Sequence, residues 1–387
     1  SEHSPETPRQ ILLTGATGQV GSYLVAAILA QWPRATLHCL VRAKSASAGL
    51  QRVRDALARQ ALEVPELTQR VRIVPGDLAA PGLGLSEARL GELAATIDLI
   101  VHNGAVLNHM ATYSALRAAN VDATVALLQL AATRRLKRFV YISTQAVFNV
   151  RKNRKWVDET TDIHQEAHTA SAGYDATKWI AELCVQQAMR EGLPAKIFRL
   201  GRVGIDSQRG LGRPDEVISL FLRTLIATRR APRMSFVERV VPVDFVAQAI
   251  VALTGAKTEQ EIFHLTGLDR VNWSYLLDRY VSPEYLPRRM MVPKWVDHIK
   301  ALSAEQSLPF SPYLFFWDTD IGRPRLNETR ILQHRTERAL QGLGLNFPRI
   351  TQAAWARYVR DLHDWEYVRY VARKKTGIVS RLFSSES

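Results

Sequence analysis

Tyr174 and Lys178 are the residues whose types and spacing most directly suggest chemistry. They lie four residues apart, in the stretch Tyr-Asp-Ala-Thr-Lys, inside an apolar-periodic segment that predicts a helix over residues 172–191. Four residues make about one helical turn, so both side chains leave the same face. A phenol has an ordinary pKa of about 10, and a nearby ammonium group stabilises the phenolate and lowers that pKa. The pair is typical of a site that moves a proton to or from an oxygen.

The same spacing occurs again at Tyr370 and Lys374, in a basic stretch near the end of the chain. The spacing alone is a weak motif, and we interpret the second copy as chance. What distinguishes the first copy is the sequence upstream of it.

A glycine-rich turn near the start of the chain indicates a phosphate-binding site. Residues 10–13 are an apolar run that predicts a strand, and an apolar helical pattern covers residues 22–31. Glycines between a strand and a helix allow a tight turn and let backbone N–H groups approach a pyrophosphate at the helix N-terminus. The residues predicted to bind a dinucleotide here are Gly15, Thr17, Gly18, Gln19, Val20 and Gly21.

The end of the next predicted strand, residues 35–41, indicates which dinucleotide is bound. A site for NAD usually has an acidic residue about 20 residues after the glycines, to hold the ribose 2′-hydroxyl. This chain has Arg42 there, and Arg52 follows on a predicted helix. Because guanidinium groups suit a 2′-phosphate, we predict NADPH as the cofactor. The alternative is a solvated arginine at the end of a strand.

Further strands and helices alternate along the chain and complete a predicted Rossmann-like, doubly wound parallel sheet of the α/β class. Strands are predicted at 71–78, 97–105, 138–144, 195–204 and 262–266, and helices at 121–133 and 240–253, the last with Asp244 as N-cap. Strand C-termini line the cofactor crevice in such sheets. We therefore predict cofactor contacts from Asp77, Leu78, Asn103, Gly104, Ala105, Leu200 and Val203.

Two hydroxyl residues, Ser143 and Thr144, end the predicted fifth strand about thirty residues before Tyr174. A hydroxyl at this place can hold a substrate oxygen against the phenol. Ser143 and Thr144 are both candidates for this role, beside Tyr174 and Lys178.

Composition restricts the classes of partner and environment. The 387 residues carry 51 basic and 37 acidic side chains, a net charge of +14 that favours an anionic partner. No apolar run is long enough to span a membrane. Cys39 and Cys184 lie in apolar contexts that suit a reducing cytoplasm. His164 and His168 have the spacing of metal ligands but no third ligand motif, and we found no nucleic-acid-binding motif.

These motifs together resemble the extended short-chain dehydrogenase/reductase superfamily. Within it, the likeness is strongest to the terminal thioester reductase (R) domains of nonribosomal peptide and polyketide synthases, and carboxylic acid reductases carry similar domains. The likeness covers residues 10–285 and is carried by the glycine turn, Gly-Asp-Leu at 76–78, His-Asn-Gly-Ala at 102–105, Ser-Thr at 143–144, Tyr-Asp-Ala-Thr-Lys-Trp-Ile-Ala-Glu at 174–182 and Pro-Val-Asp at 242–244. Gln19-Val20 and Leu200 depart from the usual Phe-Leu and Pro, and remove no needed chemical group.

Val147-Phe148 matches the Val-Tyr of the superfamily, and counted from it Thr144 takes the hydroxyl position. The resemblance therefore implies Thr144, Tyr174 and Lys178 as catalytic residues, Tyr174 and Lys178 also as cofactor contacts, and Ser143 as a packing residue at the strand end. It further implies NADPH-dependent release of an acyl or peptidyl thioester from the phosphopantetheine arm of a carrier protein, as an aldehyde and in a second cycle an alcohol. It also implies a domain of a larger synthase, monomeric when isolated. We predict a linker at 1–9, an NADP-binding domain at 10–205 to which 236–267 return, and a mostly helical lobe for substrate and carrier at 206–235 and 268–387. The basic run at 151–155 is either a solvated loop or part of a surface for an acidic partner.

Other functions use the same fold. A dehydrogenase or epimerase acting on a nucleotide sugar or free alcohol would change nicotinamide absorbance with such substrates. A non-catalytic NADP(H) sensor would not need the predicted proton donor.

Overall fold

A sheet of seven parallel strands forms the centre of the larger of two units into which the chain divides. The structure is a computed structural model that describes residues 7–108, 110–148, 155–166, 173–281, 286–305, 307–314 and 330–365. Unit 1 comprises Ser1–Val203, Val241–Leu268 and Glu328–Pro348, and unit 2 comprises Gly204–Val240, Asp269–Asn327 and Arg349–Ser387.

The strands of the central sheet are short and almost entirely buried, as expected where helices cover both faces of a parallel sheet. They are β1 (Gln10–Thr14), β2 (Thr36–Val41), β3 (Val71–Pro75), β4 (Leu99–His102), β5 (Arg138–Thr144), β7 (Ala195–Leu200) and β11 (Ile262–Leu265). Their order across the sheet is β11-β7-β5-β4-β1-β2-β3. The chain builds outward from β1 to β3 and then returns to β4 on the other side of β1. This reversal opens a crevice at the carboxyl ends of β1 and β4, where α/β proteins bind ligands.

Helices connect these strands and pack on both faces of the sheet. Those of unit 1 are α1 (Gln19–Gln31), α2 (Ala46–Arg59), α3 (Leu67–Arg70), α4 (Glu87–Thr96), α5 (Tyr113–Arg117), α6 (Ala123–Ala132), α7 (Gly173–Arg190) and α9 (Val243–Gly255). A π-helical turn, Ala118–Asp122, joins α5 to α6. The predicted doubly wound sheet is confirmed. The predicted N-cap of α9 is wrong: Pro242 is the N-cap, and Asp244 lies in the first helical turn, where its charge complements the helix dipole.

One segment of unit 1 comes from late in the chain. A short strand, β14 (Arg330–Ile331), pairs with β6 (Trp156–Val157), and the helix α12 (His334–Gln341) follows. Leu340 and Phe347 join the core of unit 1, where the rings of Phe347 and Phe245 lie 4.9 Å apart. The structure thus differs from the predicted division, which assigned these residues to the lobe, because their apolar side chains are buried in unit 1.

Unit 2 is built around a core of its own. Its remaining strands and helices are α8 (Val217–Thr228), β9 (Arg230–Pro232), β10 (Val237–Val241), β12 (Asp269–Asn272), α10 (Leu276–Tyr280), β13 (Arg288–Met290) and α11 (Val292–Glu305), and residues 352–365 are also helical. Phe221 packs edge-on against Trp295 and Phe310 at centroid distances of 5.9 and 5.4 Å. None of the helices in the described ranges is long and apolar enough to cross a membrane.

Several sequence features lie partly or wholly outside the described residues. They are His168, the basic residues 151–154, and the second Tyr/Lys copy at 370 and 374. His164 is described, and its Nδ1 lies 2.7 Å from Asp162 Oδ1. No cluster of three metal-ligating side chains occurs among the residues the structure describes.

Candidate active site

The glycine turn after β1 is shaped by contacts that exclude side chains. Gly15 has φ +73°, a left-handed conformation that glycine adopts without strain, and its carbonyl accepts a hydrogen bond from Gly18 N at 3.1 Å. A Cβ built on Gly21 would lie 1.9 Å from the Gly15 oxygen. The first turn of α1 can pack this closely only because position 21 has no side chain.

The N-terminus of α1 fits an anionic group. Gly18 is the N-cap, contributes no side-chain hydrogen bond, and is followed by a first turn without acidic residues. The N-terminal N–H groups of a helix lack intrahelical partners and attract negative charge. The predicted turn residues Gly15, Thr17, Gly18, Gln19, Val20 and Gly21 are all partly exposed except Gly21. A cradle of this kind is a phosphate site of the type found in dinucleotide-binding folds.

A buried chain of hydrogen bonds joins β1 to β4 beneath the crevice. The Thr124 hydroxyl donates to Asn120 O at 2.7 Å, so it accepts from His102 Nε2 at 3.0 Å. His102 Nδ1 therefore accepts from the Thr14 hydroxyl at 2.8 Å, and that hydroxyl accepts from Gly104 N at 2.8 Å. Burial lowers the pKa of His102 to about 3, so the imidazole is neutral. The network sets the direction in which the chain leaves β4.

The residues after β4 and β3 meet at this point. Asn103 Nδ2 lies 3.3 Å from Gly15 O, and a Cβ on Gly104 would lie 2.5 Å from Leu78 Cδ1. Asp77 Oδ1 accepts from Ala79 N at 3.0 Å, which shapes the turn that follows β3. Ala105 is exposed. The four predicted cofactor contacts that follow β3 and β4 are thus adjacent to the glycine turn or to each other. They are Asp77, Leu78, Asn103 and Gly104.

The arginines predicted to choose the cofactor are exposed at the end of β2. Arg42 follows the strand, and the guanidinium group of Arg52 on α2 donates to the carbonyl oxygen of Arg42. This contact brings the Arg52 cation beside the backbone of Arg42. Two exposed guanidinium groups at the end of β2 can bind a phosphate dianion.

Helix α7 carries Tyr174 and Lys178 one turn apart, and Lys178 is almost completely buried (4% exposed). The Lys178 ammonium group donates to Ile142 O at 2.8 Å and lies 4.1 Å from the centroid of the Tyr141 ring, a cation–π contact. Burial lowers the pKa of Lys178 to about 7, and the charge of Glu182 opposes this shift.

The electrostatics of Tyr174 differ from the expectation. Burial raises the pKa of the phenol above its usual value, the neighbouring Asp175 raises it further, and Arg202 lowers it. Burial also raises the pKa of Asp175 to about 6. The cation that opposes this rise in the Tyr174 pKa is Arg202, two residues after the end of β7, rather than Lys178. Tyr174 therefore keeps its proton at neutral pH, as a proton donor must.

The two hydroxyl residues at the end of β5 have different surroundings. Thr144 is half-buried and its Oγ1 accepts a hydrogen bond from Ala146 N at 3.2 Å. Ser143 is buried and donates to Glu182 Oε2 at 2.5 Å. The register pairs Thr144 with Leu200 of β7, and Val203 follows in the short strand β8 (Arg202–Val203). Ser143 is thus buried near the end of β5, where its hydroxyl group is hydrogen-bonded to Glu182.

Two groups of buried polar residues were missed by the sequence analysis. Asn120, in the π-helical turn, accepts from Val106 N at 2.7 Å and donates to Val106 O at 3.1 Å and to Thr177 at 3.0 Å, so it ties the loop after β4 to α7. The other is the ion pair between Glu182 and Arg199, at 2.7 Å. Charged residues inside otherwise apolar elements were the available signal for the second group.

Comparison with known proteins identifies the family. A family model described as "Male sterility protein", for NAD-binding domains, matches residues 13–250. The chain is 32% identical over 92% of its length to a linear gramicidin synthase of Brevibacillus parabrevis. It is also 32% identical over 91% of its length to the isonitrile lipopeptide synthase of Streptomyces coeruleorubidus. It spans only 7% and 24% of these relatives.

Solved structures agree with this assignment. The terminal R domain from the myxalamid PKS-NRPS pathway aligns with a TM-score of 0.83 and 30% identity, over 93% of this chain and 91% of that one. The reductase (R) domain of a nonribosomal peptide synthetase from Mycobacterium tuberculosis aligns with a TM-score of 0.72 and 25% identity, over 93% and 92%. The chain therefore belongs to this NAD-binding family and, within it, to the oxidoreductases that form the R domains of nonribosomal peptide and polyketide synthases.

Proposed function

We propose that this domain uses NADPH to release an acyl or peptidyl thioester from a carrier-protein phosphopantetheine arm as an aldehyde, with an alcohol as the product of a second cycle. The observation that carries the proposal is the placement of Tyr174 and Lys178 on α7, whose Lys178 contacts the end of β5 just before Thr144. Relatives named as peptide synthases and solved R domains support the substrate class.

The residues of unit 1 fit a phosphorylated dinucleotide. The glycine cradle and the N-terminus of α1 would hold the pyrophosphate, and Arg42 and Arg52 would hold a 2′-phosphate. Asp77 and Leu78 would lie beside the adenine, and the segment 103–105 with Leu200 and Val203 beside the nicotinamide half. When bound, the nicotinamide supplies the hydride.

Side chains of unit 1 would then stabilise the negative charge that develops on the substrate oxygen and would supply its proton. As the thioester carbonyl carbon becomes tetrahedral, its oxygen takes on negative charge, and the Thr144 and Tyr174 hydroxyls would donate hydrogen bonds to it. Tyr174, whose pKa burial raises, would give its proton to this oxygen. Lys178 would hold the ribose hydroxyls and supply positive charge near the phenol. On collapse of the tetrahedral species, the hydroxyl proton would return to the Tyr174 oxygen as the pantetheine thiolate leaves, so that the neutral aldehyde is released and the phenol is restored.

Exposed arginines on unit 2 support an acidic partner. Arg239 of β10 lies directly opposite Arg270 of β12, and both are exposed. Arg288 of β13, which is exposed, pairs with the half-buried Arg230 of the parallel strand β9. Like charges opposite each other across strands are destabilising, and an acidic ligand would neutralise them. An acidic carrier domain would do so.

The first experiment measures NADPH oxidation with a thioester carried on pantetheine or on a carrier protein, beside NADH and a Tyr174→Phe variant. We expect turnover with NADPH and a loss of about 10²–10⁴ in rate in the variant, the usual scale of general acid catalysis. Near-full turnover by Tyr174→Phe would refute the role of the phenol. Silence toward thioesters, with activity on nucleotide sugars or free alcohols, would favour a dehydrogenase or epimerase instead.

The carrier surface is tested by comparing two substrates of one enzyme. Arg239→Glu with Arg270→Glu should raise KM for the carrier-bound thioester several-fold and leave turnover of the free pantetheine thioester unchanged, because only the first substrate presents acidic side chains. The matched control is Arg34→Glu with Arg59→Glu, two exposed arginines of unit 1, which changes the net charge by the same amount. Equal effects of the two variants would show that KM for the carrier-bound thioester depends on net charge rather than on Arg239 and Arg270.

A further inference from the structure

A buried carboxylate lies where the two elements that carry the proposed catalytic residues meet. Glu182 is fully buried (0% exposed) and follows Lys178 by one turn on α7. Its Oε2 atom accepts the hydrogen bond of Ser143, the residue before Thr144 at the end of β5. Glu182 therefore connects the helix of Tyr174 and Lys178 to the strand end of Thr144.

The second carboxylate oxygen is held by Arg199 of β7. Glu182 Oε1 accepts from Arg199 Nε at 2.9 Å and Nη2 at 2.7 Å, and from Gln186 Nε2 at 3.0 Å. The guanidinium group also lies 4.9 Å from the centroid of the Phe148 ring. With Ser143, four hydrogen bonds fix the carboxylate, which satisfies a charge that would otherwise be costly to bury.

A neutral histidine completes the arrangement on the far side of Arg199. His264 Nδ1 donates to Leu332 O at 2.8 Å, so its Nε2 accepts from Arg199 Nη1 at 3.3 Å. Burial, and then the charge of Arg199, lowers the pKa of His264 to about 3. The histidine therefore adds no charge, and Glu182 and Arg199 balance each other.

The groups around Lys178 identify Glu182 as its counter-charge. The titratable side chains that face it are Tyr174 and Glu182 on α7, Tyr141 on β5, His102 on β4 and, through Glu182, Arg199 on β7. Both tyrosines are neutral because burial raises their pKa, and His102 is neutral because burial lowers its pKa. Of this set, Glu182 is the group whose charge raises the pKa of Lys178.

We propose that Glu182 is a positioning residue of the active site, which keeps Lys178 in its ammonium form and orients the strand end that carries Thr144. The inference rests on the proposed function for its catalytic meaning. The pKa of Lys178 is about 7, so at neutral pH a small change in the surrounding charge alters the ammonium fraction substantially. Glu182 raises that pKa, and the positive charge of Arg199, one residue beyond the carboxylate, would lower it.

Two variants separate this role from simple packing. The double variant Glu182→Gln with Arg199→Met removes both charges of the ion pair, so neither partner is left buried without the other and the fold is retained. We expect the pKa of Lys178 to fall by on the order of one pH unit in the double variant. In Arg199→Met alone, where the carboxylate remains, we expect it to rise.

The measurement is a ¹³C NMR titration of the lysine Cε signals in the protein without thioester, with Lys178→Met identifying the Lys178 signal. The alkaline limb of kcat/KM should move in the same direction as the titration. Glu159→Gln is the matched control, because Glu159 is also buried but binds Thr336, at 2.8 Å to both its N and its Oγ1. This control should lower thermal stability and leave the Lys178 titration unchanged.

The possible results have distinct meanings. A Lys178 pKa that is unchanged in the double variant, or that falls equally in Arg199→Met and Glu159→Gln, would overturn the inference. A shifted Lys178 pKa in a protein that reduces no thioester would uphold the electrostatic role and refute the proposed function. Thioester turnover with an unchanged Lys178 pKa would uphold the proposed function and refute the electrostatic role of Glu182.

Discussion

At the carboxyl ends of β1 and β2, unit 1 presents backbone N–H groups, glycines and exposed arginines, whereas at the ends of β5 and β7 it buries charged side chains in a hydrogen-bonded network. We call the first region, residues 14–21 with Arg42 and Arg52, the glycine half. We call the second, residues 143–144, Tyr174, Lys178, Glu182 and Arg199, the tyrosine half. Both lie on one parallel sheet.

The two halves differ in how they treat charge. The glycine half is shaped by excluding side chains, since a Cβ at Gly21 would meet the Gly15 carbonyl. It leaves its arginines in water, where charge is inexpensive to keep. The tyrosine half removes Lys178 from water, so its pKa falls, and then opposes that fall with Glu182. Binding an anion needs accessible donors, whereas placing a proton needs a pKa set by burial.

The largest expected effect concerns the stability of the tyrosine half. Arg199→Met leaves Glu182 buried without its cation, and we expect a loss of about 3–5 kcal/mol in the free energy of unfolding. Urea denaturation measures it. Arg89→Met, which breaks the exposed Arg89–Glu92 pair, should cost about 1 kcal/mol or less. Equal losses would mean that burial does not decide the cost of breaking an ion pair.

A substitution in the glycine half should instead weaken the binding of NADPH. Gly21→Ala forces the turn to open around the Gly15 carbonyl, and we expect NADPH affinity, followed by fluorescence titration, to fall about 100-fold, or roughly 2.7 kcal/mol. Gly91→Ala is the control, because a Cβ there meets nothing within 4 Å and alanine favours the helix by ~1 kcal/mol. Unaltered NADPH binding in Gly21→Ala would contradict the assigned cradle.

Cofactor choice is expected to depend on the exposed arginines alone. Arg42→Ala with Arg52→Ala should reduce the preference for NADPH over NADH by about 10–100-fold, since each lost charge-assisted hydrogen bond is worth roughly 1.5–3 kcal/mol before solvent screening. The ratio of kcat/KM for the two cofactors measures it. Arg59→Ala, at the last turn of α2, should leave the ratio as it is. A ratio that survives the double substitution would place the 2′-phosphate elsewhere.

A gradual pH dependence of stability, small over any one pH unit, is expected from Lys178. Its pKa is about 7 in the folded protein and about 10.4 when unfolded. The unfolded chain therefore binds the extra proton between these values, and stability rises with pH across that window. Lys178→Met removes the burial penalty. Its stability advantage over the natural chain should be constant below pH 7 and shrink by about 1 kcal/mol per pH unit above it. An advantage that does not vary with pH would contradict a buried, titrating lysine.

Local patterns were enough to predict most of the fold and half of the site. The apolar runs at β1 to β5 and the glycine spacing define a strand, turn and helix from neighbouring residues alone. Helix α7 follows in the same way from its periodicity, so Tyr174 and Lys178 were found as a pair. The cap of α9 was wrong because Pro242 already begins the turn that Asp244 was expected to begin.

What the sequence by itself determined is the parallel sheet, the glycine turn and the Tyr/Lys face, because each depends on residues close in the chain. Only the tertiary structure decided which groups surround them. Arg202 rather than Lys178 opposes the rise in the Tyr174 pKa, and Glu182 meets Arg199 across two elements. Desolvation and ion pairing depend on distances between residues far apart in the chain, and sequence spacing carries no information about those distances.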